Sequence, residues 1–399
     1  RRLIRRLART PRPKRTWSRL KHLLHLAAQF PVSKFGVMKY KAILFVVLLA
    51  CVGCHSFGAR AVGKTHPLYN EVISRSLNEQ FLLNLVRLRY RDNPYFLEVG
   101  SVAVNTSLES TVSAGGNFIS NSESFSPSGS LSYKQNPTVS YTPLRGNQFL
   151  KQMLSPIPLE ALLTLTQSGW SVQRVMSVCV ERANGLDNAA NASGPTPGQE
   201  PRFEAFQAMA DLLRDLQQAD AMELGAAPVA AEAKGKSGHN LVLRFKGGAK
   251  LAGKFKELCK LLGVPENSTE LVLTTDFLNK PANGVAVRTR SMMAIMFFLS
   301  HNIVVPASDE EAGLVTITKL RDGERFDWAR VTGRLFAVSS GGSRPSNAYL
   351  AVPYRGNWFY VRQDDLESKS TFMLLNQLFN LQSGDVKMIA PTFTIGVGN

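Results

Sequence analysis

No acidic residue occurs in the first fifty positions, where thirteen Lys and Arg stand. From Cys51 onward 34 basic residues face 30 acidic ones, so the formal charge of +17 falls to +4 over that part. A strongly basic chain invites nucleic acid or anionic surfaces as partners. Here the excess belongs to the leader, and no nucleic-acid partner is expected for the body. Cysteine is scarce too: Cys51 and Cys54 lie three apart, while Cys179 and Cys259 are single and distant. A disulfide framework or a zinc site with paired CxxC motifs is thereby excluded, and the two distant thiols are expected in the core. His66, His239 and His301 have no partner at metal-ligand spacing. No G-x-S-x-G occurs, and no S-x-x-K with its companion motifs. The reading is therefore non-enzymatic, with no catalytic residue, cofactor or metal ligand assigned.

What is present begins with targeting. Residues 38–54 read MKYKAILFVVLLACVGC: two lysines, nine apolar residues from Ala42 to Ala50, then cysteine. Nine is far below the roughly 20 that a membrane-crossing helix needs, and fits the apolar region of a signal peptide. Leu48-Leu49-Ala50-Cys51 resembles the lipobox of bacterial lipoproteins. That resemblance implies cleavage before the cysteine, acylation of its sulfur, and retention as an outer-membrane lipoprotein facing the periplasm. Cys51 is favoured; Cys54 stays a candidate, because it follows Gly53 and gives a longer signal. The implied partner is membrane lipid, through the acylated cysteine and its palmitate-type chain. Residues 1–37 are expected to lie upstream of a translation start at Met38, 38–50 to be the signal peptide, and 51–68 a lipidated tether.

Gly58-Ala59-Arg60-Ala61-Val62-Gly63-Lys64-Thr65 matches the P-loop pattern. A P-loop needs a strand feeding it and a helix leaving it. Cys54-His55-Ser56-Phe57 is a poor strand and Pro67 follows closely, so the tether reading is preferred and no nucleotide is assigned.

The body, 69–184 and 203–399, is expected to be α+β, with a mainly antiparallel sheet, flanking helices and one long amphipathic β-hairpin. An apolar stripe from Val72 to Leu88 predicts a helix from Tyr69 to Arg91, ended by Asn93-Pro94. Strict alternation follows. Val102, Val104, Leu108 and Val112 share one face of the first arm, and Leu131, Tyr133, Val139 and Tyr141 one face of the second. The opposite faces are almost all Ser, Thr and Asn, like the lumen wall of a barrel. Helices are predicted at 146–154, 158–167 and 172–183, the last two an αα-hairpin. A linker or long loop is read at 185–202, and a loop at 225–240. Beyond it, strands are predicted at 241–246, 270–275, 285–289, 302–305, 314–319, 331–339, 347–352 and 357–362. Helices are predicted at 203–221, 250–262, 291–300 and 366–381, with a final strand at 390–398. Lys250, Lys254, Lys256 and Lys260 make a solvated basic face, and the carboxylates near 309 and 322 are expected in solvated loops.

The function expected from these residues is a lipid-anchored cell-envelope protein with a binding or structural role. Its expected partner is an envelope protein or further copies of itself. One alternative is an oligomeric outer-membrane pore or secretion component donating residues 99–142 to a shared β-barrel. Another is a hydrolase of the cell wall or a polysaccharide.

Overall fold

The protein is described by a computed structural model that covers residues 57–117, 124–228 and 239–383. Cys51, Cys54, the signal segment, the tip of the hairpin and the predicted strand at 390–398 lie outside the described residues. The fold is α+β, with a mainly antiparallel sheet. Residues from Ile73 onward form one compact unit.

Helix α1 runs Phe57–Arg89. It therefore begins twelve residues before the predicted start at Tyr69 and takes in residues 57–68 of the expected tether, with the P-loop-like motif. A phosphate cradle needs free backbone N–H groups, which a helix commits to its own i−4 carbonyls. The helix buries Phe81, Leu82, Leu85, Val86 and Leu88. It stops in a Schellman motif: Arg91 takes φ 61°, its N–H reaches the Leu88 carbonyl at 3.1 Å, and that of Asp92 reaches Arg87 at 2.8 Å.

The hairpin follows, with β1 at Phe96–Asn117 and β2 at Ser124–Leu144. Helices α2 (Asn147–Leu154), α3 (Leu159–Gln167) and α4 (Val172–Cys179) come next. Gly169, at φ +94°, makes the turn between α3 and α4. The predicted helix to Ala183 ends four residues early, and the chain enters the sheet as β3 (Val180–Ala183). The reason is a competing donor. The Arg290 guanidinium takes the carbonyls of Ser177, Val178 and Val180, which a continuing helix would need for itself.

Strand β4 (Leu186–Asp187) lies within the stretch 185–202 read as a linker or long loop, and helix α5 (Glu204–Gln218) follows it. The stretch is a loop threaded through the core, with Asn188, Ala189, Ala192 and Thr196 all buried. Strand β5 (Met222–Pro228) was not predicted; its Gly225-Ala226-Ala227 lacks any apolar alternation. After it come β6 (His239–Phe245), α6 (Ala249–Leu262), β7 (Glu270–Thr274), β8 (Gly284–Thr289) and α7 (Met292–Ser300). The main sheet has the order β4-β3-β8-β7-β6-β5, antiparallel except between β7 and β8.

The predicted strands at 302–305 and 314–319 reduce to isolated bridges at Ile303 and Lys319, and the segment 331–339 is mostly not strand. Short helices α8 (Ala307–Glu311) and α9 (Ala329–Thr332) stand among these segments. A second sheet, β10-β11-β9, is built from β9 (Ser339–Gly341), β10 (Ala348–Tyr354) and β11 (Asn357–Arg362). The last described element is α10 (Leu366–Ser383). Cys179 and Cys259 are free and fully buried, and burial pushes the Cys179 thiol up to about 12.

Candidate functional site: the ribbon and its root

Strands β1 and β2 pair with each other, from Phe96↔Leu144 to Asn117↔Ser124. At about 3.3 Å per residue, 22 residues extend roughly 70 Å. No third strand joins either edge among the described residues.

The register explains an irregularity in the sequence. Val99 and Val102 are three apart, an odd step that would put them on opposite faces of a regular strand. A bulge at Gly100 makes Val99 and Ser101 oppose the adjacent residues Tyr141 and Ser140. Val102 then pairs with Val139 and returns to the face of Val99 and Tyr141. Further along, Leu108 opposes Tyr133, so the apolar faces of both arms coincide. The other face pairs Ser101 with Ser140, Asn105 with Asn136 and Ser113 with Ser128. Its two charges, Glu109 and Lys134, oppose Ser132 and Ser107, and are diagonal neighbours.

The root of the ribbon is fixed in two ways. Phe96 points into an aromatic cluster, its ring centroid 5.7 Å from Phe81, 5.8 Å from Phe149 and 5.4 Å from Phe379. The outer edge of β1 is closed by two amides of α1. Asn84 donates to the Tyr95 carbonyl at 2.8 Å and accepts the Tyr95 N–H at 2.9 Å. Gln80 donates to the Leu97 carbonyl at 2.9 Å and accepts the Leu97 N–H. The match is geometric: one helical step of four residues rises about 6 Å, and two strand residues about 6.7 Å. The side chains thus imitate a neighbouring strand for two positions. Sequence reading missed this pair; its signal was two amides at i and i+4 interrupting the apolar stripe of α1. Beside it a cavity of about 480 Å³ opens between α1, the root and α10, lined by Asn78, Gln80, Leu97, Glu98 and Asn376 among others.

Elsewhere the polar groups serve the fold. His301, at the C-terminal cap of α7, has Nε2 2.9 Å from the Ala192 carbonyl oxygen and must carry its proton there. Nδ1 then accepts from the Thr196 hydroxyl at 3.2 Å. Burial pushes the imidazole down to about 3, so it is neutral at pH 7. In the unfolded chain it titrates near 6.5. Its contribution is therefore complete above pH 6.5 and lost as pH falls toward 3. By linkage the loss runs at about 1.4 kcal/mol per pH unit in that window. Urea unfolding at pH 7 and pH 5 is expected to show about 2 kcal/mol more acid destabilisation in wild type than in His301→Gln.

Asp309 accepts the Tyr90 hydroxyl at 2.5 Å, and Glu310 takes Arg325 in a two-pronged pair at 2.6 and 2.8 Å. These two were expected as solvated loop carboxylates; they join α8 to its neighbours instead. Lys254, on the predicted basic face, meets Asp215 at 2.5 Å. No group of three or more His, Cys, Asp or Glu with metal-binding geometry occurs among the described residues. Arg290, fully buried, has no carboxylate in ion-pair reach among the described residues. Its guanidinium sits 3.8 Å over the Phe298 ring and reaches main-chain oxygens of Ser177, Val178, Val180 and Asn188. No helix among the described residues is long and apolar enough to cross a membrane. Compared with known protein families, curated proteins and solved structures, the chain matches none.

Proposed function

We propose that the chain is a lipid-anchored, non-enzymatic component of the bacterial envelope whose copies lay their β1–β2 ribbons edge to edge into one shared outer-membrane barrel. The observation that carries this reading is the ribbon: two long strands with aligned apolar and polar faces and, among the described residues, no third strand on either edge. A hairpin standing alone is marginal in water. Each free edge is a row of unpaired N–H and C=O groups. In hydrocarbon every such group must be paired, and ring closure pairs both edges at once. The face of Ser, Thr and Asn suits a lumen, and the face of Val, Leu and Tyr, interrupted by Thr106, Ser110 and Gln135, suits lipid. Residues 99–142 carry only three charges, Glu109, Glu123 and Lys134.

The lipobox-like residues supply the anchor. Substituting Cys51→Ala together with Cys54→Ala is expected to abolish labelling by radioactive palmitate; unchanged labelling removes the anchor from the reading. Native mass measurement of protein extracted in lipid-like detergent is expected to give one defined oligomer. A monomer under those conditions removes the shared barrel, and leaves the broader role of binding a different envelope protein.

A further inference from the structure

The ribbon is longer than a membrane is thick. Tilted by about 40°, 22 residues rise roughly 55 Å, twice the apolar band of about 25 Å that barrels present to lipid. The question is which half crosses.

The geometry points to the root half: the membrane boundary lies at Tyr95 and Tyr141, and helix α2 rests on an anionic phospholipid surface beside it. This inference rests on the barrel reading above and specifies where lipid meets it.

Three observations carry it. First, Tyr95 and Tyr141 are 46% and 47% exposed at the root, Tyr141 on the apolar face of the ribbon. Amphipathic rings at strand ends are the girdle residues of membrane barrels. Tyr133 falls on the same face as Tyr141, eight residues along β2. Eight residues at about 3.3 Å and a tilt of about 40° separate the two by roughly 20 Å, close to the spacing of the two girdles. Between them this face carries Val102, Val104, Thr106 and Leu108 on β1 with Gln135, Pro137 and Val139 on β2; towards the tip Ser110, Ala114, Gly116, Pro127 and Gly129 alternate with Val112, Leu131 and Phe125. The span from Val99 to Leu108 is ten residues, within the 9–11 that a crossing strand uses.

Second, α2 follows the ribbon directly and packs Phe149 against Phe96. It exposes Leu150 and Leu154, one helical turn apart, at 52% and 55%. A short helix that keeps Met153 inside and leaves two leucines outside has an apolar face to cover. Third, the charge is of the right sign. Arg145 and Lys151 are exposed and make no ion pair among the described residues. No Asp or Glu occurs from Ser124 to Leu159, and Glu98 is the one exposed carboxylate at the root of β1. Basic residues beside exposed leucines favour anionic headgroups.

The test uses the full chain in vesicles of phosphatidylethanolamine and phosphatidylglycerol. Nitroxide labels are placed singly at Val104→Cys, Ala114→Cys, Tyr133→Cys, Tyr141→Cys and Leu150→Cys, and accessibility to oxygen and to a polar nickel complex is compared. Each labelled variant also carries Cys51→Ala and Cys54→Ala, and the buried Cys179 and Cys259 do not compete for label. Position 104 is expected to be lipid-like, 133, 141 and 150 headgroup-like, and 114 aqueous. Leu150→Ser with Leu154→Ser, both at exposed sites, is expected to weaken vesicle binding of the unacylated chain by at least tenfold. A lipid-like 114 with aqueous 104 and 141 overturns the boundary while the barrel survives. Aqueous values at every position overturn both. Unchanged binding of the serine variant overturns the role of α2 alone.

Discussion

Replacing Arg290 by methionine is expected to cost the folded state about 3–5 kcal/mol, the range for breaking one side of a buried charged network. The stem and much of the volume are kept, so the loss isolates the guanidinium. Four carbonyl oxygens, those of Ser177, Val178, Val180 and Asn188, lose their donor, and the Phe298 ring loses the cation above it. Two of those carbonyls end α4, where the helix dipole is negative and a cation is most favourable. Burial pushes the guanidinium down to about 9, which leaves it charged at pH 7. Arg290→Lys keeps the charge but not the planar fork, and is expected to lose about half as much. With total stabilities of about 5–15 kcal/mol, the methionine variant is expected to show a large fall in urea midpoint with an unchanged slope. A shift under 1 kcal/mol contradicts the structural role assigned to Arg290.

The same residue shows why part of the fold was hidden from sequence. The stripe Val172, Val175, Met176, Cys179, Val180, Ala183 satisfies a helix throughout, yet Val180 and Ala183 belong to a strand. Local periodicity could not register a guanidinium arriving from a residue 110 positions away. The stretch 185–202 looked like a connector because it is rich in Gly, Pro, Asn and Ala. It is buried because Ala189 and Ala192 are small enough to pass through the core, and because Asn188 donates to Ser177 and Val180. The ribbon was legible for the opposite reason. Its pairing is local, its period is two, and its turn is Gly, Ser and Asn. Even there the sequence alone left the Val99 to Val102 slip unexplained, since a bulge is visible only once the partner strand is known. The Gln80 and Asn84 closure was illegible because amides on a helix are more often solvent-facing than strand-like.

Gln80→Ala combined with Asn84→Ala is expected to open the root without disturbing the core cluster around Phe96. Asn84 is fully buried and serves both backbone groups of Tyr95; Gln80 serves both of Leu97. Leaving a buried backbone group unpaired costs about 1–3 kcal/mol, so the double variant should lose roughly 2–4 kcal/mol at the root. Amide exchange at Tyr95 and Leu97 is the direct readout, with protection falling about 30- to 1,000-fold by local opening. Asn84→Asp separates the two halves of the contact: a carboxylate still accepts the Tyr95 N–H but cannot donate to its carbonyl. It should retain protection at the Tyr95 amide while lowering stability. The double variant also exposes two more strand positions on an edge that is already open beyond Leu97. Its expected second phenotype is slower, less uniform assembly, as ribbons pair in shifted registers. If exchange at both amides stays at wild-type levels, the side chains are not what closes the edge. The limit they set on where a neighbouring ribbon may begin then disappears with them.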